Sequence, residues 1–113
     1  MKLGEKQELF MLNVAELIRF ARKKGFYARG KELLRTPEQQ ELYIKQGKSQ
    51  TSNSKHLDGL AIDLIFTKDH KTPIYDKAEL QEIGDYWESL DKNNKWGGNW
   101  QSLVDCPHFE YAG

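Results

Sequence analysis

The spacing of apolar positions divides the chain into a few well-marked elements. Phe10, Val14, Leu17, Ile18 and Ala21 recur at helical intervals, with Glu16, Arg19, Arg22 and Lys23 mostly on the opposite face, which predicts an amphipathic helix from about Gly4 to Lys24. A basic last turn followed by Gly25 supplies its stop. Phe26 to Arg29 and Lys31 to Leu34 read as two short extended pieces around Gly30. Thr36-Pro37-Glu38-Gln39 has the order of a helix start, with a capping threonine, proline at the first helical position and glutamine completing the capping pattern. That helix is predicted to run to Gln46 and end at Gly47. Gly47 to Lys55 is rich in Ser, Thr, Asn and Gln and reads as a surface loop. In the clearest strand, Leu60 to Phe66, the residues Leu60, Ile62 and Leu64 alternate with Ala61, Asp63 and Ile65. Apolar residues on both faces predict an interior strand, and make Asp63 conspicuous. Lys68 to Asp76 is turn-rich, Ala78 to Leu90 is a further amphipathic helix, and Asp91 to Asn94 is a polar break. Trp96-Gly97-Gly98-Asn99-Trp100 is a glycine loop flanked by indoles, and Pro107 to Tyr111 is a short final strand. Helices mixed with a few non-adjacent strands predict an α+β fold with a small antiparallel sheet.

The 113 residues make one domain, 1–113, of ordinary size. Seventeen basic and seventeen acidic residues cancel, so no overall field favours nucleic acid or an anionic membrane, and a functional site must be local. The one cysteine, Cys106, excludes an intramolecular disulfide and a four-cysteine zinc site. The charged start is not that of a signal peptide, and no apolar stretch is long enough for stable membrane insertion.

Local chemistry centres on two segments. Between His56 and Asp63 a straight strand would point the two side chains to opposite faces. Asp58-Gly59 supplies a turn that lets the chain fold back first, so both side chains can reach one ion. Asp63, pointing from an interior strand, needs a cation or strong donors to offset the cost of burying its charge. A divalent metal meets that need. His108, in Asp105-Cys106-Pro107-His108, supplies a third ligand. Two imidazoles and a carboxylate leave a tetrahedral position open, as in catalytic zinc sites. Asp105, a proline-containing turn away from His108, is placed to take a proton from the attacking water. Other residues have plainer readings. His70 lies in a charged loop and is expected to be an ordinary polar residue; Cys106 is expected to be a buried thiol rather than a ligand. Glu110 shares the strand face of His108 and either is solvated or orients that imidazole. The Trp96–Trp100 segment either packs the core around a tight turn or shapes a cleft.

Ser54-x-His56-x-x-Gly59-x-Ala61-x-Asp63 followed by Asp105-x-x-His108 resembles the signature of peptidoglycan-cleaving zinc peptidases related to D-alanyl-D-alanine carboxypeptidases and D-Ala-D-Ala dipeptidases. Within them the likeness is greatest to the L-alanyl-D-glutamate endopeptidases found as phage endolysins. Leu34-Arg35-Thr36-Pro37-Glu38-Gln39, Gly47-Lys48-Ser49 and Trp96-Gly97-Gly98 resemble that group too, so the likeness runs from about Gly30 to Tyr111. It implies a hedgehog/DD-peptidase-like fold, Zn2+ held by His56, Asp63 and His108, and Asp105 as catalytic base. It also implies that Arg35 either stabilises the oxyanion or holds a substrate carboxylate. The implied reaction is hydrolysis of a peptide bond in the peptidoglycan stem, L-Ala–D-Glu, by a monomer made in the bacterial cytoplasm that reaches the wall after release. The alternatives are a carboxypeptidase releasing a D-amino acid, and a non-catalytic zinc-binding recognition module of the same fold.

Overall fold

The computed structural model describes residues 1–47 and 54–113. Most of the predicted Gly47–Lys55 loop, with Lys48 and Ser49 of the resemblance, lies outside the described residues. In chain order the elements are α1 (Leu3–Lys23), β1 (Tyr27–Glu32), α2 (Pro37–Lys45), a 3-10 turn (Lys55–Asp58), β2 (Ala61–Thr67), α3 (Lys77–Leu90), β3 (Asn94–Trp96), a second 3-10 turn (Gly97–Asn99) and β4 (His108–Tyr111). The strands form one antiparallel sheet in the order β1-β2-β4-β3, so β2 is interior, as its two apolar faces predict.

Helix α1 buries Phe10, Val14, Leu17 and Ala21 but leaves Ile18 38% exposed, so its apolar stripe is narrower than the sequence implies. Thr36 caps α2 by accepting from the Gln39 N–H at 3.1 Å, with Pro37 at the first turn. Two differences from expectation stand out. The two extended pieces around Gly30 are one strand, β1, which ends at Glu32 and leaves out Leu33 and Leu34; Gly30 pairs with Leu64, and the register shifts just after it. Part of the stretch read as a polar break and glycine loop is a short edge strand, β3. Its Asn94 donates from Nδ2 to the Trp87 carbonyl at 3.0 Å, so a polar residue serves the buried end of α3.

Cross-strand partners share a face of a sheet. One face carries Leu64, Phe66, Phe109, Tyr111 and Trp96, which join α1 and α3 in the main apolar cluster. The Trp87 ring meets Phe10 and Phe109 edge-on at 5.6 and 5.9 Å. Gly84 is required here, because a Cβ would stand 2.1 Å from the Trp96 ring. The other face carries Asp63, His108 and Glu110.

Candidate metal centre

The register places the first pair. Asp63 of β2 lies directly opposite His108 of β4, so adjacent interior strands present their side chains to the same spot. His56 arrives from the 3-10 turn. Ser54 starts that turn by accepting from the His56 N–H at 3.2 Å, and Gly59 ends it in the left-handed region at φ 67°. A left-handed residue here reverses the chain into β2, and glycine adopts that conformation at least cost. Helix α1 pins the turn from outside, where Gln7 Nε2 donates to the Asp58 carbonyl at 2.8 Å.

The three side chains converge, one possible ligand atom from each lying within 4.8 Å of the others. Asp63 Oδ1 is 3.3 Å from His56 Nε2 and 3.6 Å from His108 Nδ1. His56 Nε2 and Asp63 Oδ1 are buried and make no hydrogen bond. Such orphaned atoms are costly unless something meets them. A tetrahedral ion bound at about 2.1 Å holds its ligand atoms about 3.4 Å apart, so the donor set and the two distances to Asp63 Oδ1 fit zinc. Each imidazole is also oriented from behind. His56 Nδ1 donates to the Leu33 carbonyl at 2.9 Å, which leaves Nε2 with the lone pair. His108 Nε2 donates to Glu110 Oε1 at 2.7 Å, which aims Nδ1 inward. Of the two readings of Glu110, the geometry has it orienting His108.

The charges are mutually adjusted. Burial raises the Asp63 pKa, but the two histidines more than offset this and hold the carboxyl well below the usual range. Burial lowers that of His108, yet Asp63 and Glu110 push it up to about 9. Asp105 is raised, by burial first and by the Asp63 charge second, against the opposing pull of His108, His56 and Arg35. It therefore sits in the electrostatic field of the same cluster. Its segment is held at several points. The Asp105 N–H donates to the Gly97 carbonyl at 3.0 Å, the His108 N–H closes the turn onto the Asp105 carbonyl at 3.1 Å, and the Trp96 indole donates to the Cys106 carbonyl at 2.8 Å. A Cβ on Gly97 would stand 2.2 Å from the Asp105 carbonyl oxygen, which is why this loop needs glycine. Of the two readings of the indole-flanked segment, core packing is what is seen, since Trp96 is fully buried; the Trp100 ring lies 4.8 Å from that of His108.

Arg35 also reaches this neighbourhood. Its backbone N–H donates to the His56 carbonyl at 2.9 Å, and its guanidinium donates to Glu32, Gln40 and Ser54. His70 is elsewhere, its ring tilted against that of Tyr27 at 3.9 Å beyond the far end of the strand pair, and Cys106 is buried. Sequence reasoning missed Glu32. Between Gly30 and Glu32 the β1–β2 register shifts, so that Glu32 and not Lys31 lies opposite Asp63. A bulge of this kind leaves no dependable mark in a single sequence.

A family model described as D-alanyl-D-alanine carboxypeptidase matches residues 47–111. An L-alanyl-D-glutamate peptidase of a Listeria phage is 37% identical over 82 residues, which are 71% of this chain and 28% of that protein. The chain thus spans little more than a quarter of that relative. Among solved structures, the L-Ala D-Glu endopeptidase ChiX of Serratia marcescens superposes with a TM-score of 0.69 at 25% identity, covering 96% of this chain and 84% of its own. The vancomycin-resistance D,D-pentapeptidase VanY of a VanB-type cassette, a variant in complex with Zn(II), has a TM-score of 0.55 at 19% identity over 92% of this chain and 71% of its own, a likeness of fold.

Proposed function

From the premise that the chain belongs to the D-alanyl-D-alanine carboxypeptidase family, we propose that it is a zinc metallopeptidase that hydrolyses the L-Ala–D-Glu bond of the peptidoglycan stem, in endolysin-type lysis of the cell wall. The observation that carries this reading is the convergence of His56, Asp63 and His108, with two buried atoms left unbonded, and a half-buried Asp105 whose backbone carbonyl accepts from the His108 N–H. The choice of bond is supported by two relatives, the phage peptidase and ChiX, whose names specify it.

His56 Nε2, His108 Nδ1 and Asp63 would hold the metal, which when bound supplies a Lewis acid that polarises a carbonyl and acidifies water. The carbonyl of Leu33 and the carboxylate of Glu110 keep the two rings from turning. Asp105 accepts the proton of the attacking water as the C–O bond forms. It returns that proton to the amine as the C–N bond breaks, and a pKa raised from the ordinary aspartate value by burial favours both transfers. Arg35 donates to the carbonyl oxygen as negative charge grows there. We take the working form to be a monomer that meets the wall after release from the cytoplasm; among the described residues no helix is long and apolar enough to cross a membrane.

Digestion of purified muropeptides tests the assignment. The expected product carries a new D-glutamate amino terminus. Release of free D-alanine alone would instead establish the carboxypeptidase reading, which the description of the matching family model favours. Asp105→Asn should keep zinc and lose hydrolysis about 10²- to 10⁴-fold, the usual scale of a positioned acid–base group. Unchanged turnover would remove Asp105 from that role, and an inactive parent protein would leave a zinc-binding recognition module.

A further inference from the structure

Arg35 brings a fixed positive charge to the site, and most of its donor edge is already in use. Nε donates to Glu32 Oε1 at 2.5 Å. Nη1 donates to Gln40 Oε1 at 2.6 Å and to Ser54 Oγ at 3.3 Å. The Tyr43 hydroxyl donates to the second oxygen of Glu32 at 3.1 Å, and the guanidinium lies 4.6 Å from the centroid of the Tyr43 ring. The Arg35 side chain is only 8% exposed. Among the described residues, Nη2 makes no hydrogen bond.

A guanidinium seats a free carboxylate best with two parallel N–H bonds, offered either by Nε with Nη2 or by Nη1 with Nη2. In this site each of those edges has lost one nitrogen to the protein. The charge of Glu32 also offsets that of Arg35 at the place where a second carboxylate would have to come. What remains is a donor at Nη2, which matches one carbonyl oxygen better than a carboxylate. The register shift in β1 is what puts Glu32 here, since in unbroken register Lys31 would face Asp63.

We propose that Glu32 is a positioning and specificity-determining residue: by occupying and neutralising Arg35 it confines that arginine to a single amide carbonyl, and so directs the enzyme to internal bonds of the stem peptide rather than to ends bearing a free carboxylate. The inference rests on the role given to Arg35 above.

The test compares the zinc-loaded parent, Glu32→Gln and Glu32→Ala on two substrate types. One is a stem peptide cut at an internal bond. The other is a D-alanine-terminated peptide offered with a free carboxylate and as its terminal amide. Glu32→Ala should lower kcat on the internal bond about tenfold, and should favour the free-carboxylate peptide over its amide, by KM or inhibition constant, about tenfold more than the parent does, the scale of one charge-assisted hydrogen bond. Glu32→Gln keeps the volume and an acceptor for Nε, so it should shift the carboxylate preference in the same direction with a smaller loss of kcat. Zinc content and melting temperature establish that each variant is folded and loaded. A purely structural role for Glu32 would lower both substrate types together and leave the preference unmoved, and that result overturns the proposal. Arg35→Ala separates the two levels. If it lowers kcat while the Glu32 variants keep the parental preference, the Glu32 inference alone fails; if it leaves kcat unchanged, the role of Arg35 fails and the inference with it.

Discussion

On one face of the sheet, Leu64, Phe66, Phe109 and Tyr111 close against α1 and α3, and the large polar-tipped residues there are served: Trp87 donates to the carbonyls of Lys95 and Glu110, and Trp96 to that of Cys106. On the other face, the same two interior strands aim Asp63 and His108 at a point where His56 Nε2 and Asp63 Oδ1 stay unbonded. Orphaned atoms occur elsewhere among the described residues, on Asn13, Thr67 and Asn94, but they are neutral groups. Among the described residues, ionisable ones converge only at the site. The core face uses burial to stabilise the fold, and the rigidity it confers lets the other face hold an arrangement that would otherwise relax. A neighbouring strand pair thus carries stability and chemistry on alternate residues.

Substitutions that strike one face and spare the other test this division. The largest effect is expected from Asp63→Ala, which removes the carboxylate between the two imidazoles. Metal analysis should find zinc lost, and hydrolysis should fall on the order of 10³-fold or more, since a catalytic metal is worth several kcal/mol. Full zinc content with parental activity would break the ligand set. Phe109→Ala, on the core face beside His108, should cost about 3–5 kcal/mol in denaturant unfolding. At temperatures where it is folded, the variant should still bind zinc; loss of metal there would show that the faces are not separable. Gly97→Ala acts at their junction. Its Cβ meets the Asp105 carbonyl oxygen, so a stability loss of about 1–3 kcal/mol should come with reduced turnover and retained zinc.

The smallest effect is that of pH on the zinc-free protein. His108 has a folded-state pKa of about 9 against an ordinary 6.5. Protons bound more tightly in the folded state stabilise it, so this contribution is complete below about 6.5 and is lost as the pH rises through about 9. Thermal melts of the chelator-treated protein should therefore decline across that window. Zinc held at Nδ1 would take the place of that proton, so with zinc added the decline should flatten. Equal slopes with and without zinc would detach His108 from the centre.

Much of this was legible in the sequence. The α+β class, all three helices and the interior position of β2 follow from periodicity and caps, because helix and strand periods are local properties of side-chain direction. That His56, Asp63 and His108 could meet was also readable, since the Asp58-Gly59 turn lets His56 and Asp63 share a face and the structure brings the three together. Less was visible where pairing decides the outcome. The strand β3 is short and polar at its start, and its extended form comes from pairing with β4 and from the hydrogen bond of Asn94 to the end of α3. Ile18 fits the helical stripe but lies at its edge, and no residue count says how wide the covering surface will be.

The sequence by itself determined the elements and the inventory of reactive side chains, through local spacing and residue type. Only the tertiary structure decided that Glu110 stands behind His108, that Leu33 stands behind His56, and that Glu32 rather than Lys31 faces Asp63. The physical reason is register. A one-residue shift between strands turns every side chain to the other face, and its energy lies in contacts between segments far apart in the chain.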